Sequence, residues 1–337
     1  MVKDIDQFIN NLTAEFNSKQ RKVVFERFGL KTGVKATLQE IGNDLGVTRE
    51  RVRQIEEDGL RKLGPKVKKE AVQIVEFAHT YLANAGGVRR DDYFLTDVAN
   101  YLFKETDAKH VDAKLRFLFL TAGAPFYSRE DDDFNAYWYV DEPAKKKFLD
   151  FVKEATDFLK SRKEAETSKD YLSRVKAYAA SSLFMIPKHF GTNIFGDVGL
   201  RSWPDIEPKT IRDKIYLVLK KHGEPLHFSD IARNITKLGI DRKQAHVQTV
   251  HNELIKDDRF VLVGRGIYAL RSRGFEPGTV RQVIAKILKT KGPLPQTDVV
   301  RLVNEQRFLK ENTVLLSLQN RRHFKRLDDG RYHVKEA

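Results

Sequence analysis

TLQEIGNDLGVTRERVRQIEEDGLRKL, residues 37–63, carries the start signals, the turn and the apolar spacing of two helices set against each other. Thr37 with Glu40 makes a capping box that opens the first helix. Gly42 is small where the two helices must come close, and Gly46 sits at the turn, where a positive φ costs glycine least. Thr48 then caps the second helix. Along that helix the helical period puts Val52, Ile55 and Gly59 on the inward face and Arg49, Glu50, Arg53, Gln54 and Glu57 on the outward one. The outward set suits base edges in the major groove: Arg pairs bidentately with guanine, Gln pairs with adenine, and Glu accepts from the cytosine amino group. Arg51 and Arg61 are placed as phosphate neighbours, which add affinity without sequence information. The pattern predicts a helix-turn-helix that reads duplex DNA, with Thr48 at the start of its contact set. A merely solvated charged face is the alternative for TRERVRQIEE, and it leaves the caps, both glycines and the apolar spacing unexplained.

The run VTRERVRQIE and the closing LRKL resemble region 4 of the primary sigma factor family, and SKQRKVVFERFGL resembles the helix that precedes that motif. The resemblance covers roughly residues 17–65. It implies a bacterial, cytoplasmic and nucleoid-associated protein in which Arg49, Glu50, Arg53 and Gln54 read a promoter −35-type element. It further implies contact with the RNA polymerase core through its flap. Asp58 and Gly59 stand where the family usually has Lys and Ala, which bears on promoter preference. No segment resembles the promoter-melting region of a sigma factor, so the chain is not expected to replace one alone.

The C-terminal half contains an internal repeat: KIYLVLKKHGEPLHFSDIA is echoed by VIAKILKTKGPLPQTDVV. Downstream, Thr249, Val250, Leu254, Phe260, Gly266 and Tyr268 recur at a constant spacing of 64 residues as Thr313, Val314, Leu318, Phe324, Gly330 and Tyr332. Each copy reads as helix, turn, two helices and a hairpin around a glycine, the order of a winged helix. Residues 94–140 give a weaker third version. Residues 209–271 resemble the HARE-type winged helix, also found in the delta subunit of bacterial RNA polymerase, which implies contact with DNA or with the transcription machinery. In that copy Asp241 is placed to cap a helix with Val247, Val250 and Leu254 inward, leaving Lys243, Gln248 and Asn252 outside and Arg265 at the wing tip. The last copy gathers Arg321, Arg322, Lys325, Arg326 and Arg331 near its wing, as phosphate contacts or as a solvated basic surface; both readings stand.

Of 337 residues, 61 are Lys or Arg and 47 Asp or Glu, and the resulting +14 favours an anionic partner. The charge is uneven, with −4 over residues 71–140 against +5 over 206–271 and +7 over 272–337. Five segments follow: a helix-turn-helix at 1–70, an acidic winged-helix-like module at 71–141, a helical linker and Gly/aromatic connector at 142–208, and winged helices at 209–272 and 273–337. The fold class expected is mainly α with small β-hairpin wings, a multi-domain array of helix-turn-helix and winged-helix modules. In the linker, Phe148, Phe151, Val152, Ala155, Phe158 and Leu159 share one stripe of a helix starting near Pro143.

Glu130 to Asp133, in the wing turn of the acidic module, point to a protein partner or a spacer, and no metal is assigned to them. The absence of cysteine excludes disulfides and thiolate sites. The start MVKDIDQFINNL lacks the plan of a signal peptide, and no apolar run is long enough to span a bilayer, which predicts no membrane association. Phosphate-loop, dinucleotide, zinc-protease and nucleophile-elbow motifs are absent, His246 and His251 are not on one helix face, Trp203 lies in a loop-like context, and the aromatic stripe around Trp138 reads as core and not as a base-stacking platform. The chain is therefore expected not to be an enzyme and to need no cofactor. The function expected is a sequence-specific regulator binding double-stranded DNA, or a sigma-like initiation factor. The alternatives are an RNA polymerase accessory subunit acting by protein contact and a chromosome protein without sequence preference.

Overall fold

The structure is a computed structural model that describes residues 4–103, 108–162, 173–174, 177, 182–240, 244–275 and 277–335. It forms two compact units, one ending at residue 191 and the other beginning at 192. None of the helices among the described residues is long and apolar enough to cross a membrane.

The N-terminal unit begins with α1 (Ile5–Leu12), α2 (Ser18–Phe28), α3 (Leu38–Leu45) and α4 (Arg49–Glu70). It continues with α5 (Val72–Asn84), β1 (Val88–Arg90), α6 (Asp91–Phe103), α7 (Val111–Ala122), β2 (Phe126–Ser128), β3 (Tyr137–Tyr139) and α8 (Glu142–Lys160). The second helix of the helix-turn-helix is longer than its sequence signals indicate: α4 runs through Gly64 and Pro65 to Glu70. Beyond Pro65, which cannot donate a helical hydrogen bond, Val67 and Ala71 are buried in the core.

The expected boundary after residue 70 falls inside a single core. Ile5, Ile9, Leu12, Val24, Phe28 and Leu63 pack in one cluster with Ala78, Phe94, Leu115, Phe117, Phe119 and Trp138. The helix-turn-helix keeps only a small cluster of its own, in which Val23, Ile41 and Val52 are the buried members. In the linker, α8 is capped by Asp141 at its N-terminus and buries Phe148, Val152, Ala155 and Leu159, while Phe151 and Phe158 are half-buried. The Phe148 ring packs against Tyr137 and Phe134, 5.2 and 5.7 Å away between centroids.

The chain passes into the second unit through a two-stranded hairpin, β4 (Phe190–Thr192) and β5 (Val198–Leu200). There Trp203 and Ile206 are buried, so the connector is ordered. Two winged helices follow: α9 (Ile211–His222), β6 (Leu226–His227), α10 (Phe228–Lys237), α11 (Val247–Lys256), β7 (Phe260–Gly264) and β8 (Ile267–Leu270), then α12 (Val280–Lys291), α13 (Gln296–Asn304), α14 (Glu311–Leu318), β9 (Phe324–Arg326) and β10 (Tyr332–Val334). Each has its own apolar core.

The three wings share one pairing scheme. In the first two, the strand before the second helix pairs with the last strand, giving orders β1-β3-β2 and β6-β8-β7. Val88 faces Tyr139, Leu226 faces Tyr268, and in the last module Leu294 bridges to Tyr332. Residues 94–140 are thus part of a winged helix whose first helix and strand, α5 and β1, precede the stretch that shows the pattern in sequence.

Candidate nucleic-acid interface

The helix-turn-helix is built by local bonds. Thr37 Oγ1 accepts from Glu40 N–H while the Glu40 carboxylate accepts from Thr37 N–H at 2.7 Å, closing the capping box. Gly46 ends α3 at φ +64°, with Val47 N–H bonded to the Gly42 carbonyl at 2.9 Å. A Cβ on Gly42 would lie 2.8 Å from the Val47 carbonyl oxygen, so the turn closes onto α3 only over a glycine. Thr48 Oγ1 accepts from Arg51 N–H at 3.2 Å and starts α4. Val52 is buried, Ile55 half-buried, and Gly59 faces Phe16 and Val24 of the preceding segment. Phe16 fills the space a larger residue would need there, which gives a physical reason for glycine at position 59.

On the opposite face Thr48, Arg49, Glu50, Arg51, Arg53 and Gln54 are all exposed. The Arg53 guanidinium donates to the Glu50 carboxylate at 2.6 Å and to Glu57, and the hydrogen bond it gives to Glu50 raises its pKa. The same bond holds the Glu50 carboxyl below its usual range. Such pairs are screened by solvent and weak, so they orient Arg53 without preventing exchange for a base or phosphate. Arg51 Nη1 donates to Gln54 Oε1 at 3.1 Å, which joins a residue read as a phosphate neighbour to one read as a base reader.

Arg51, Gln54, Asp58 and Arg61 line a polar groove with Lys19 and Gln20 from the start of α2. Lys19 and Gln20 carry no motif of their own, so the sequence does not single them out; only the packing of α2 on α4 brings them there. Arg27 locks that packing, donating to Glu56 at 2.9 Å and to the Ala36 carbonyl at 2.6 Å.

In the first winged helix, α7 occupies the position that reads the groove in such modules, yet Leu115, Phe117, Leu118 and Phe119 are fully buried. Phe117 meets Phe28 of α2 edge to face at 5.1 Å, and Lys114 Nζ pairs with Asp6 at 2.6 Å. This helix holds the helix-turn-helix instead of facing solvent. Trp138 is core, as expected, its indole N–H bonded to Asp91 at 2.8 Å. The acidic turn is engaged within the unit: Lys188 pairs with Glu130 at 2.7 Å and donates to the Asp131 carbonyl at 2.7 Å. Among the described residues no group of three or more His, Asp or Glu side chains is arranged to hold a metal ion.

In the second winged helix, Gln248 is exposed and donates to Asn252 at 3.1 Å, and Arg265 is exposed at the hairpin tip. Val247, expected inward, is exposed (41%): it opens α11 before the helix reaches the core, and Ala245 is buried just ahead of it. Asp241 and Lys243 lie outside the described residues. In the third, Arg321 and Arg322 are exposed in the turn after α14, where Arg322 N–H bonds to Asn320 Oδ1 at 3.1 Å.

A clamp around Arg307 joins the two C-terminal modules. Arg307, buried between α13 and α14, donates to the carbonyls of Leu262 and, at 2.9 Å, Gly278, and Phe308 N–H bonds to the Val263 carbonyl at 2.8 Å. Desolvation lowers the Arg307 pKa.

Residues 14–63 match the family of sigma-70 region 4, and residues 209–273 match the HARE-HTH family, a helix-turn-helix domain named in part for ASXL and restriction endonuclease. Similar curated proteins include RNA polymerase sigma factor sigB of Arabidopsis thaliana, 41% identical over 73 residues, which is 22% of this chain and 12% of that protein. RNA polymerase sigma factor RpoS of Coxiella burnetii is 41% identical over 69 residues, 20% of each chain. RNA polymerase sigma-C factor of a Nostoc strain is 43% identical over 63 residues, 19% of this chain and 15% of that protein. The chain thus spans a fifth or less of the length of these relatives. The matched families are DNA-binding and not enzymatic, and with these partial relatives they support a DNA-binding, transcription-related role.

Proposed function

We propose that this chain is a sequence-specific reader of duplex DNA in transcription, acting as a regulator or as a sigma-like factor without a promoter-melting region. The observation that carries this reading is α4, a helix capped by Thr48 that presents Arg49, Glu50, Arg53 and Gln54 together on one exposed face. Arg49 and Arg53 supply guanine-type contacts, Gln54 an adenine-type contact and Glu50 a cytosine-type contact, while Thr48, Arg51 and Lys19 meet flanking phosphates. Gln248 and Arg265 add contacts from the second winged helix. The DNA is promoter-like and the proposed protein partner is the RNA polymerase core, since the relatives are named as its sigma factors. The nucleoid of a bacterial cytoplasm is the matching location.

Selection of bound sequences from a random duplex library tests the reading. The intact chain is expected to enrich one motif, and Arg49→Ala with Gln54→Ala to lose it, at about 1–3 kcal/mol per base contact. Enrichment that is absent, or unchanged in the variant, refutes base reading by α4. Co-purification with polymerase core at low salt tests the partner.

A further inference from the structure

The last winged helix has an unusual division of charge. Its α14, ENTVLLSL, contains no Lys or Arg, begins with Glu311 and leaves Leu316 72% exposed. A helix of that composition has no cation with which to neutralise a phosphate or pair bidentately with guanine. The cations lie instead on the turn and the hairpin that follow. Arg321, Lys325, Arg326 and Lys335 line one groove between the end of α14 and the strands β9 and β10, and among the described residues no carboxylate lines it. All four are exposed. The acidic residues of the hairpin sit at its far turn, where Asp329 is held by Arg331 at 2.5 Å. Arg281 is brought to the same end from α12 by its bond to His323 Nε2 at 2.8 Å.

We infer that this groove is a sequence-independent binding site for the phosphate backbone of duplex DNA, so that the last module grips DNA by its wing and not by its helix. The aromatic rings of the hairpin, Phe324 and Tyr332, are buried. The groove therefore offers no stacking platform for unpaired bases, which favours the duplex over single strands. The inference shares with the proposed function only the premise that the chain works on duplex DNA, and it does not need α4 to read bases.

The test uses the full chain and fluorescence anisotropy with a labelled random-sequence duplex over a range of salt. Arg321→Gln, Lys325→Gln and Arg326→Gln together are expected to lower the slope of log affinity against log salt by about 2.7, about 0.9 per lost phosphate contact. At the same time the motif enriched by the intact chain stays the same. Thermal unfolding of the triple variant should match the parent, since all three side chains are exposed. The Arg49→Ala, Gln54→Ala variant separates the two readings: it is expected to lose the motif and keep the greater part of the salt slope. An unchanged slope in the triple variant overturns the inference even where the motif is found. Tighter binding of single-stranded DNA or RNA, weakened by the same substitutions, overturns the assignment to duplex DNA.

Discussion

Replacing Phe117 by alanine tests whether the helix-turn-helix and the first winged helix are one folding unit. The ring is fully buried and meets Phe28 edge to face at 5.1 Å, at the place where α7 lies against α2 and α4. Truncating a buried phenylalanine costs about 3–5 kcal/mol, of which the aromatic pair accounts for about 0.5–1.5. That is a large share of a stability of about 5–15 kcal/mol for a typical domain.

The chain has two tryptophans, Trp138 in the first unit and Trp203 in the second, so a Trp203→Phe background makes fluorescence report on the first unit alone. Urea unfolding of Phe117→Ala in that background should show the Trp138 transition destabilised by the stated amount. Amide hydrogen exchange at Ile41 and Val52, in the separate small cluster of the helix-turn-helix, should lose protection by the same free energy. The two readouts must move together because three buried side chains are too few to hold α2, α3 and α4 alone. A Trp138 transition lowered by several kcal/mol with unchanged protection at Ile41 and Val52 would refute the shared core.

Gly42→Ala places a Cβ 2.8 Å from the Val47 carbonyl, a clash with backbone, and is expected to cost about 1–3 kcal/mol in denaturant unfolding and to weaken DNA binding by shifting α4. Thr48→Ala removes the cap of α4 and should cost about 1 kcal/mol in the same assay, whereas Thr48→Ser should be close to neutral. Arg307→Ala leaves the Leu262 and Gly278 carbonyls without that donor and should destabilise the second unit by about 3 kcal/mol, separating its melting into two steps; an unchanged Tm refutes the clamp.

His189, bonded to Thr156 at 2.9 Å, has its pKa lowered by burial, with Asp133 raising it and Lys160 lowering it to lesser degrees. Its unfolded form therefore takes a proton at a higher pH than its folded form. The stability that its neutral state contributes is present above about pH 6.5 and is lost as pH falls from there through the folded value. Tm measured against pH should fall less steeply below that point in His189→Gln.

The helix-turn-helix was legible because its signals are local: the Thr37 and Glu40 box, the Gly46 turn and the Thr48 cap each act within four residues, and the structure forms all three. The repeat and the glycine-centred hairpins were legible for the same reason, since a periodicity or a turn is written in neighbouring residues. The exposed set on α4 followed from the helical period alone. Where the helical period meets a helix end it misleads, as Val247 shows by standing outside the core it was assigned to.

What the sequence determined by itself was thus the type of each module and the face of α4 left open to solvent. Only the tertiary structure decided what each module does with its surfaces. Apolar side chains are complementary to any well-shaped apolar neighbour, so the sequence of α7 does not name its partner, and the structure buries Phe117 and Phe119 in the core of the first unit. Long-range pairs follow the same logic. Lys188 answers the acidic turn from 57 residues away, and Arg307 reaches a strand 45 residues earlier. No local pattern announces such contacts, because they exist only once the chain has closed its cores.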